Sequence, residues 1–178
     1  MQMQLRLYPD PVLQKAAAPV TEFDDALREG IAEMYRIMYA EGGVGLAAPQ
    51  VGWSVQVLVL NPSGSKDDTT GERTVINPRI VKKWGKASEQ EGCLSFPEIF
   101  VDVERPIGVR LAWQDEQGEE HEEDLTEFPA RILQHEKDHL DGVLLVHRMS
   151  PVDKIQHRVA LDELIDLFAR QQASANAG

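Results

Sequence analysis

The chain has a single cysteine, Cys93, so no disulfide forms within it. A lone thiol is most often a small buried hydrophobe. No apolar run approaches the ~18 residues needed to cross a bilayer. The N-terminal stretch MQMQLRLYPDPVLQ lacks both the charged-then-apolar pattern of a signal peptide and the Arg/Ser-rich character of a transit peptide. A soluble cytoplasmic protein is the expectation, and a mature organellar form stays open. Positive charge is also scarce. Eighteen Lys and Arg face 30 Asp and Glu, a net charge of −12, which argues against general binding to nucleic-acid phosphates. Much of the acidic excess sits in EQGEEHEED, residues 116–124, read as the solvated face of an exposed hairpin. Internal repeats and long low-complexity segments are lacking too.

What is present fits one domain. The 178 residues suffice for a substantial core. TEFDDALREGIAEMYRIMYA (21–40) reads as a helix, with Thr21 and Asp24 spaced as a capping box and Leu27, Ile31, Met34 and Met38 forming a core stripe. Gly42 and Gly43 stop it. VQVLVL (55–60), TVINPRIV (74–81) and IGVRLAWQD (107–115) read as strands, with a turn at DEQG (115–118). A second helix covers about 126–140. A third starts at Ser150 and Pro151, with Leu161, Leu164, Ile165 and Phe168 on one face. Residues 1–170 are expected to form the domain and 171–178 a frayed tail. Strands clustered between helices, without regular alternation, predict an α+β fold.

The second helix carries LQHEKDHLDG (133–142). At 100° per residue, with His135 at zero, His139 falls at about 40°, Ile132 at about 60° and Phe128 at about 20°. Glu136 lies beside that face. Lys137 lies on the far side, where solvent is expected. Imidazoles at i and i+4 converge on one ion, and an adjacent carboxylate accepts a proton from bound water. The plain alternative is a pair of packing histidines. Catalytic zinc sites usually use three protein ligands and keep one position open. The candidate third ligand is Cys93 in EQEGCLSFPE (89–98), a segment that reads equally as strand or turn. Spacing alone does not bring it to the histidines. His121 and His147 are candidates for a fourth ligand, as a structural zinc requires, or for ordinary packing.

GGVGLAAPQVG (42–52) superficially satisfies G-x-G-x-x-[GA], but it follows a helix and Pro49 interrupts the next one, so dinucleotide binding is not expected. Gly45 is read as allowing another backbone to approach closely. Gln50 carries an amide able to donate to an oxyanion.

GVGLAAPQ (43–50), EGCLS (91–95) and QHEKDHLDG (134–142) stand in one order, and together they resemble peptide deformylase over about residues 4–150. That resemblance implies antiparallel sheets packed around a central metal-binding helix, with an N-terminal and a C-terminal helix. It implies that Cys93, His135 and His139 bind one divalent ion, Fe²⁺ natively and replaceable by Ni²⁺, Co²⁺ or Zn²⁺. Glu136 would be the general base acting with metal-bound hydroxide, and Gln50 with the Leu94 N–H would hold the oxyanion. Val44, Gly45, Phe128 and Ile132 would line the substrate groove. The implied partner is an N-formylmethionyl peptide, with a transient ribosome encounter. Two residues depart from the family pattern: Lys137, where the position is often apolar, and Phe100, where many bacterial members carry a substrate-contacting arginine. Arg105 and Asp138 match a family Arg and Asp and suggest an ion pair. A zinc peptidase of the H-E-x-x-H type is the rival enzyme, although the extension HxxGxxH is absent. A structural metal module is the non-enzymatic alternative.

Overall fold

The computed structural model describes residues 3–176. Helix α1, Asp25–Ala40, starts later than the sequence suggested. Asp24, not Thr21, is its N-cap and accepts from the Leu27 N–H at 2.9 Å. The preceding residues are held extended by Asn77, whose side chain exchanges two 2.9 Å hydrogen bonds with the Val20 backbone. The expected Leu27, Ile31, Met34 and Met38 stripe is buried, each side chain contributing ~1.5–3 kcal/mol.

Next come β1 (Gly45–Ala47), a 3₁₀ turn (Ala48–Val51), β2 (Val57–Leu60), β3 (Arg73–Trp84), β4 (Ala87–Cys93), β5 (Phe96–Arg105), β6 (Gly108–Gln114) and β7 (Glu120–Thr126). Within the glycine segment, residues 45–47 form a short buried strand that runs into a tight turn. The antiparallel order β1-β2-β3-β6-β7 makes one sheet, and β4 and β5 form a separate hairpin. The acidic hairpin of the sequence is β6–β7, whose turn closes through Gly118 N to Asp115 O.

Helix α2, Glu127–Leu140, packs on β1, β2, β6 and β7. Ala130, Ile132, Leu133 and Leu140 share a core with Leu58, Leu60, Val75, Val109 and Leu111. A second core joins α1 to β1 and β2. A third lies under the β4–β5 hairpin, where Ile99, Val101 and Val103 meet Leu144, Leu145 and Leu164. The C-terminal region is α3 (Leu145–Arg148), α4 (Pro151–Gln156) and α5 (Arg158–Asn176). Ser150 caps α4 as expected, accepting from Asp153 N at 3.1 Å. The single third helix of the sequence reading is thus divided at His157. Leu164 is buried, but Ile165 is exposed, because the contact stripe runs through Ala160, Leu161 and Leu164. α5 continues through 171–176, where a frayed tail was expected, and residues 177 and 178 lie outside the described range.

Candidate metal centre and active site

Cys93 ends β4, immediately before the turn that leads into β5, and the hairpin lays that turn against α2. The three expected ligands meet: one donor atom from each of Cys93, His135 and His139 lies within 4.8 Å of the others. Cys93 Sγ is 3.3 Å from His139 Nε2. The imidazoles are edge to face, with centroids 5.1 Å apart. A soft thiolate with two imidazoles suits Fe²⁺, Co²⁺, Ni²⁺ or Zn²⁺. Neither candidate fourth ligand joins them. His121 pairs with Asp115 at 2.6 Å and stacks on Trp113, and His147 Nδ1 accepts from Leu144 N.

Glu136 lies beside this triad on α2, buried, with Oε2 lacking a hydrogen-bond partner. Burial pushes its carboxyl up to about 7. An orphaned, buried carboxylate oxygen beside three converging soft donors fits a site that takes a cation and a polar reactant. Burial holds His139 well below the usual histidine range, so it is neutral and available as a ligand.

Sequence reasoning missed the residue that orients His135. Glu91 Oε2 lies 2.9 Å from His135 Nδ1, which leaves Nε2 for an ion. The same carboxylate accepts from Arg105 Nε and Nη2 and from Arg131 Nη1. Burial pushes Glu91 upward, but the hydrogen bonds from His135 and Arg105 outweigh it and hold the carboxyl at about 2. The expected Arg105–Asp138 pair is present at 3.0 Å and belongs to this buried network, with Arg148 on the outer side of Asp138. The signal for it was in β5: Arg105 falls in phase with the buried Ile99, Val101 and Val103, and a buried arginine demands a buried acid.

Gln50 sits in the 3₁₀ turn after β1. Its Oε1 accepts from Ala47 N at 2.9 Å, which turns Nε2 toward Ser95 Oγ (3.2 Å) and Cys93 Sγ (3.6 Å). A cavity of about 490 Å³ opens beside these groups, lined by residues that include Val44, Gly45, Gln50, Cys93, Leu94, His135 and Glu136. Phe128 and Ile132 are not among the residues lining it. Phe128 is 48% exposed on the first turn of α2, and Ile132 is buried behind Gly45. Gly45 was read as admitting a backbone, but side chains occupy the space. A Cβ there would lie 2.6 Å from Glu136 Oε1 and 2.7 Å from Ile132 Cγ2. Lys137 is not among the residues lining the cavity, and its side chain, only 19% exposed, pairs with Asp141 at 2.6 Å.

Residues 2–155 match the family described as polypeptide deformylase. The chain belongs to the peptide deformylase family. It is 45% identical to a deformylase of Thermotoga neapolitana over 162 residues, 90% of this chain and 95% of the relative. It is 44% identical to that of Chlorobaculum parvum, covering 92% and 88%. The crystal structure of Plasmodium falciparum peptide deformylase superposes with a TM-score of 0.91 at 42% identity, covering 94% of this chain and 98% of that one. A plant peptide deformylase gives 0.92 at 38%, covering 96% and 93%. The deformylase is thus a metal-dependent hydrolase that removes N-formyl groups from polypeptides, and its α+β architecture is that of the solved family members. Among the described residues, no helix is long and apolar enough to cross a membrane.

Proposed function

We propose that this deformylase acts on N-formylmethionyl ends of nascent or short peptides, through one divalent ion held by Cys93, His135 and His139. Fe²⁺ is the native ion in this reading, with Ni²⁺, Co²⁺ and Zn²⁺ as replacements. The observation that carries it is the convergence of those three donors beside a buried, unpaired Glu136 and the Gln50 amide. The bound ion supplies Lewis acidity, which polarises the formyl carbonyl and lowers the pKa of a water toward ~7.

The protein's own groups do the rest. Glu136 takes a proton from the attacking water and returns it to the departing amine nitrogen. The new C–O bond forms at the formyl carbon, the C–N bond breaks, and formate leaves with a free methionyl amine as the second product. The Gln50 amide and the Leu94 N–H donate to the oxygen as it gains charge. Ser95 and Ala47 hold the Gln50 amide in that orientation before substrate arrives. Val44 and Gly45 line the channel for the substrate backbone, and Ile132 stiffens it from behind. Phe128 stands outside that channel. Work on nascent chains implies a transient ribosome encounter and a cytoplasmic setting.

The test is formate release from formyl-Met-Ala-Ser by anaerobically prepared protein, with metal analysis of the same sample. Formate in step with metal content is expected. Cleavage of an internal peptide bond without formate would replace this reading with the peptidase one.

A further inference from the structure

A second cavity, of about 460 Å³, lies on the face of α2 turned away from the metal ligands. Counted at 100° per residue from His135, the α2 residues that line it, Gln134, Lys137 and Asp138, fall between about 200° and 300°. Its other walls come from β3, from the end of β5 and from Arg148 of α3. Among the described residues, none lines both this cavity and the catalytic one. The lining carries five cations and three carboxylates, in a chain whose net charge is −12. All three carboxylates are already paired: Asp138 with Arg105 and Arg148, Asp141 with Lys137, and Glu104 with Lys86. Arg79 and Lys83 are exposed, and among the described residues neither makes an ion pair or a side-chain hydrogen bond. The surplus is therefore positive and sits on two side chains without partners. Pro78, Ile80, Pro106 and Val143 give the same cavity an apolar part. Uncommitted cations beside an apolar wall suit a small organic anion, and a guanidinium matches the oxygens of a phosphate bidentately.

The inner wall of this cavity is wired to the metal centre. Arg148 Nη2 donates to Asp138 Oδ1 at 2.6 Å, and Arg105 Nη1 donates to Asp138 Oδ2 at 3.0 Å. Arg105 Nη2 in turn donates to Glu91 Oε2 at 2.9 Å, and that same oxygen lies 2.9 Å from His135 Nδ1. Arg105, Asp138 and Arg148 all line the cavity. An anion held there competes with Asp138 for Arg148. Asp138 then leans more on Arg105, Arg105 leans less on Glu91, and Glu91 accepts more strongly from His135, which makes the imidazole a better ligand. We propose that this cavity binds a small phosphate monoester through Arg79, Lys83 and Arg148, and that its occupancy tightens metal binding through Asp138, Arg105 and Glu91. The binding site stands on the cavity alone, whereas the relay rests on the metal reading above.

The experiment titrates glycerol 3-phosphate, AMP and inorganic phosphate into Zn²⁺-loaded protein by calorimetry, with glycerol and adenosine as uncharged controls. At least one ester is expected to bind with a Kd of ~0.1–1 mM at low salt, because a few exposed charge pairs each contribute modestly. It should bind more tightly than inorganic phosphate, which makes no use of the apolar wall. Arg79→Gln with Lys83→Gln should raise that Kd by about tenfold or more, while turnover of formyl-Met-Ala-Ser without phosphate stays unchanged. Saturating ester should slow Zn²⁺ release to excess chelator by about threefold, at the low end of couplings carried by packed polar networks. Asp138→Asn should abolish the slowing while the ester still binds. No saturable binding of either ester, or binding that survives the double substitution, overturns the site; the latter result would put the phosphate on the metal instead. Ester that binds the parent without changing metal release, or that slows release equally in Asp138→Asn, overturns the relay. Metal content and formate release are read on the same samples: their failure overturns the deformylase reading, and the site is then decided by the same titration of metal-free parent and double variant.

Discussion

Replacing Glu91 with Gln changes almost no volume but removes the charge on which two buried arginines and a histidine converge. The side chains of Glu91 and Arg105 are each 5% exposed, and that of Arg131 is 8% exposed. The folded carboxyl sits at about 2 against an ordinary 4.5, which corresponds to ~3 kcal/mol at ~1.4 kcal/mol per unit. Because the folded value is the lower one, this stabilisation is fully present above pH ~4.5 and is lost as the pH falls toward ~2. Removing one member of a buried ion pair likewise costs ~3–5 kcal/mol, since the partner's charge stays buried. Glu91→Gln should therefore lose ~3 kcal/mol at pH 7, a fall in Tm of roughly 6–12 °C for a chain of this length. The loss of His135 orientation should also weaken metal binding by ~10–100-fold. Denaturant unfolding of metal-free wild type and variant between pH 2 and 8 measures the first effect, and metal titration the second. A gap below 0.5 kcal/mol at pH 7, or one that stays constant down to pH 2, would refute the reasoning.

Four further outcomes follow from the site. Glu136→Gln should bind metal and fold as the parent does, with kcat down by ~10²–10⁴, as turnover and metal analysis would show. In the parent, kcat/KM should rise with pH as the base ionises, on an acid limb that a bound cation moves below the value of about 7 set by burial; a pH profile checks this. Gly45→Ala places a methyl 2.6 Å from Glu136 Oε1, so activity assays should register a larger loss than thermal unfolding does. Gln50→Ala should lower kcat by ~10²–10³ while leaving the metal in place, since it deletes one oxyanion donor; steady-state kinetics on metal-quantified protein decides it.

The sequence disclosed the chemistry more fully than the scaffolding behind it. The i, i+4 histidines, the adjacent glutamate and the core stripe of α1 were legible because helical periodicity is local. The role of Cys93 came from its place in an ordered set of three motifs, since no local rule carries a cysteine across 42 residues to His135. Glu91 was missed because the phase of Arg105 in β5 signals only that a buried acid is needed, and nothing local says which acid the fold brings to it. The start of α1 was misjudged because Asn77 holds the preceding residues extended from a distant strand. The division of the C-terminal helix at His157 follows from local capping at Ser150 together with packing through Leu161 and Leu164, and apolar periodicity alone did not separate the two.

The most direct test of the central claim is X-ray absorption at the metal edge of Zn²⁺-loaded protein. One sulfur at ~2.3 Å, two imidazole nitrogens at ~2.0–2.1 Å and one further light atom are expected. A shell without sulfur, or a fourth protein side chain in place of the light atom, would contradict it.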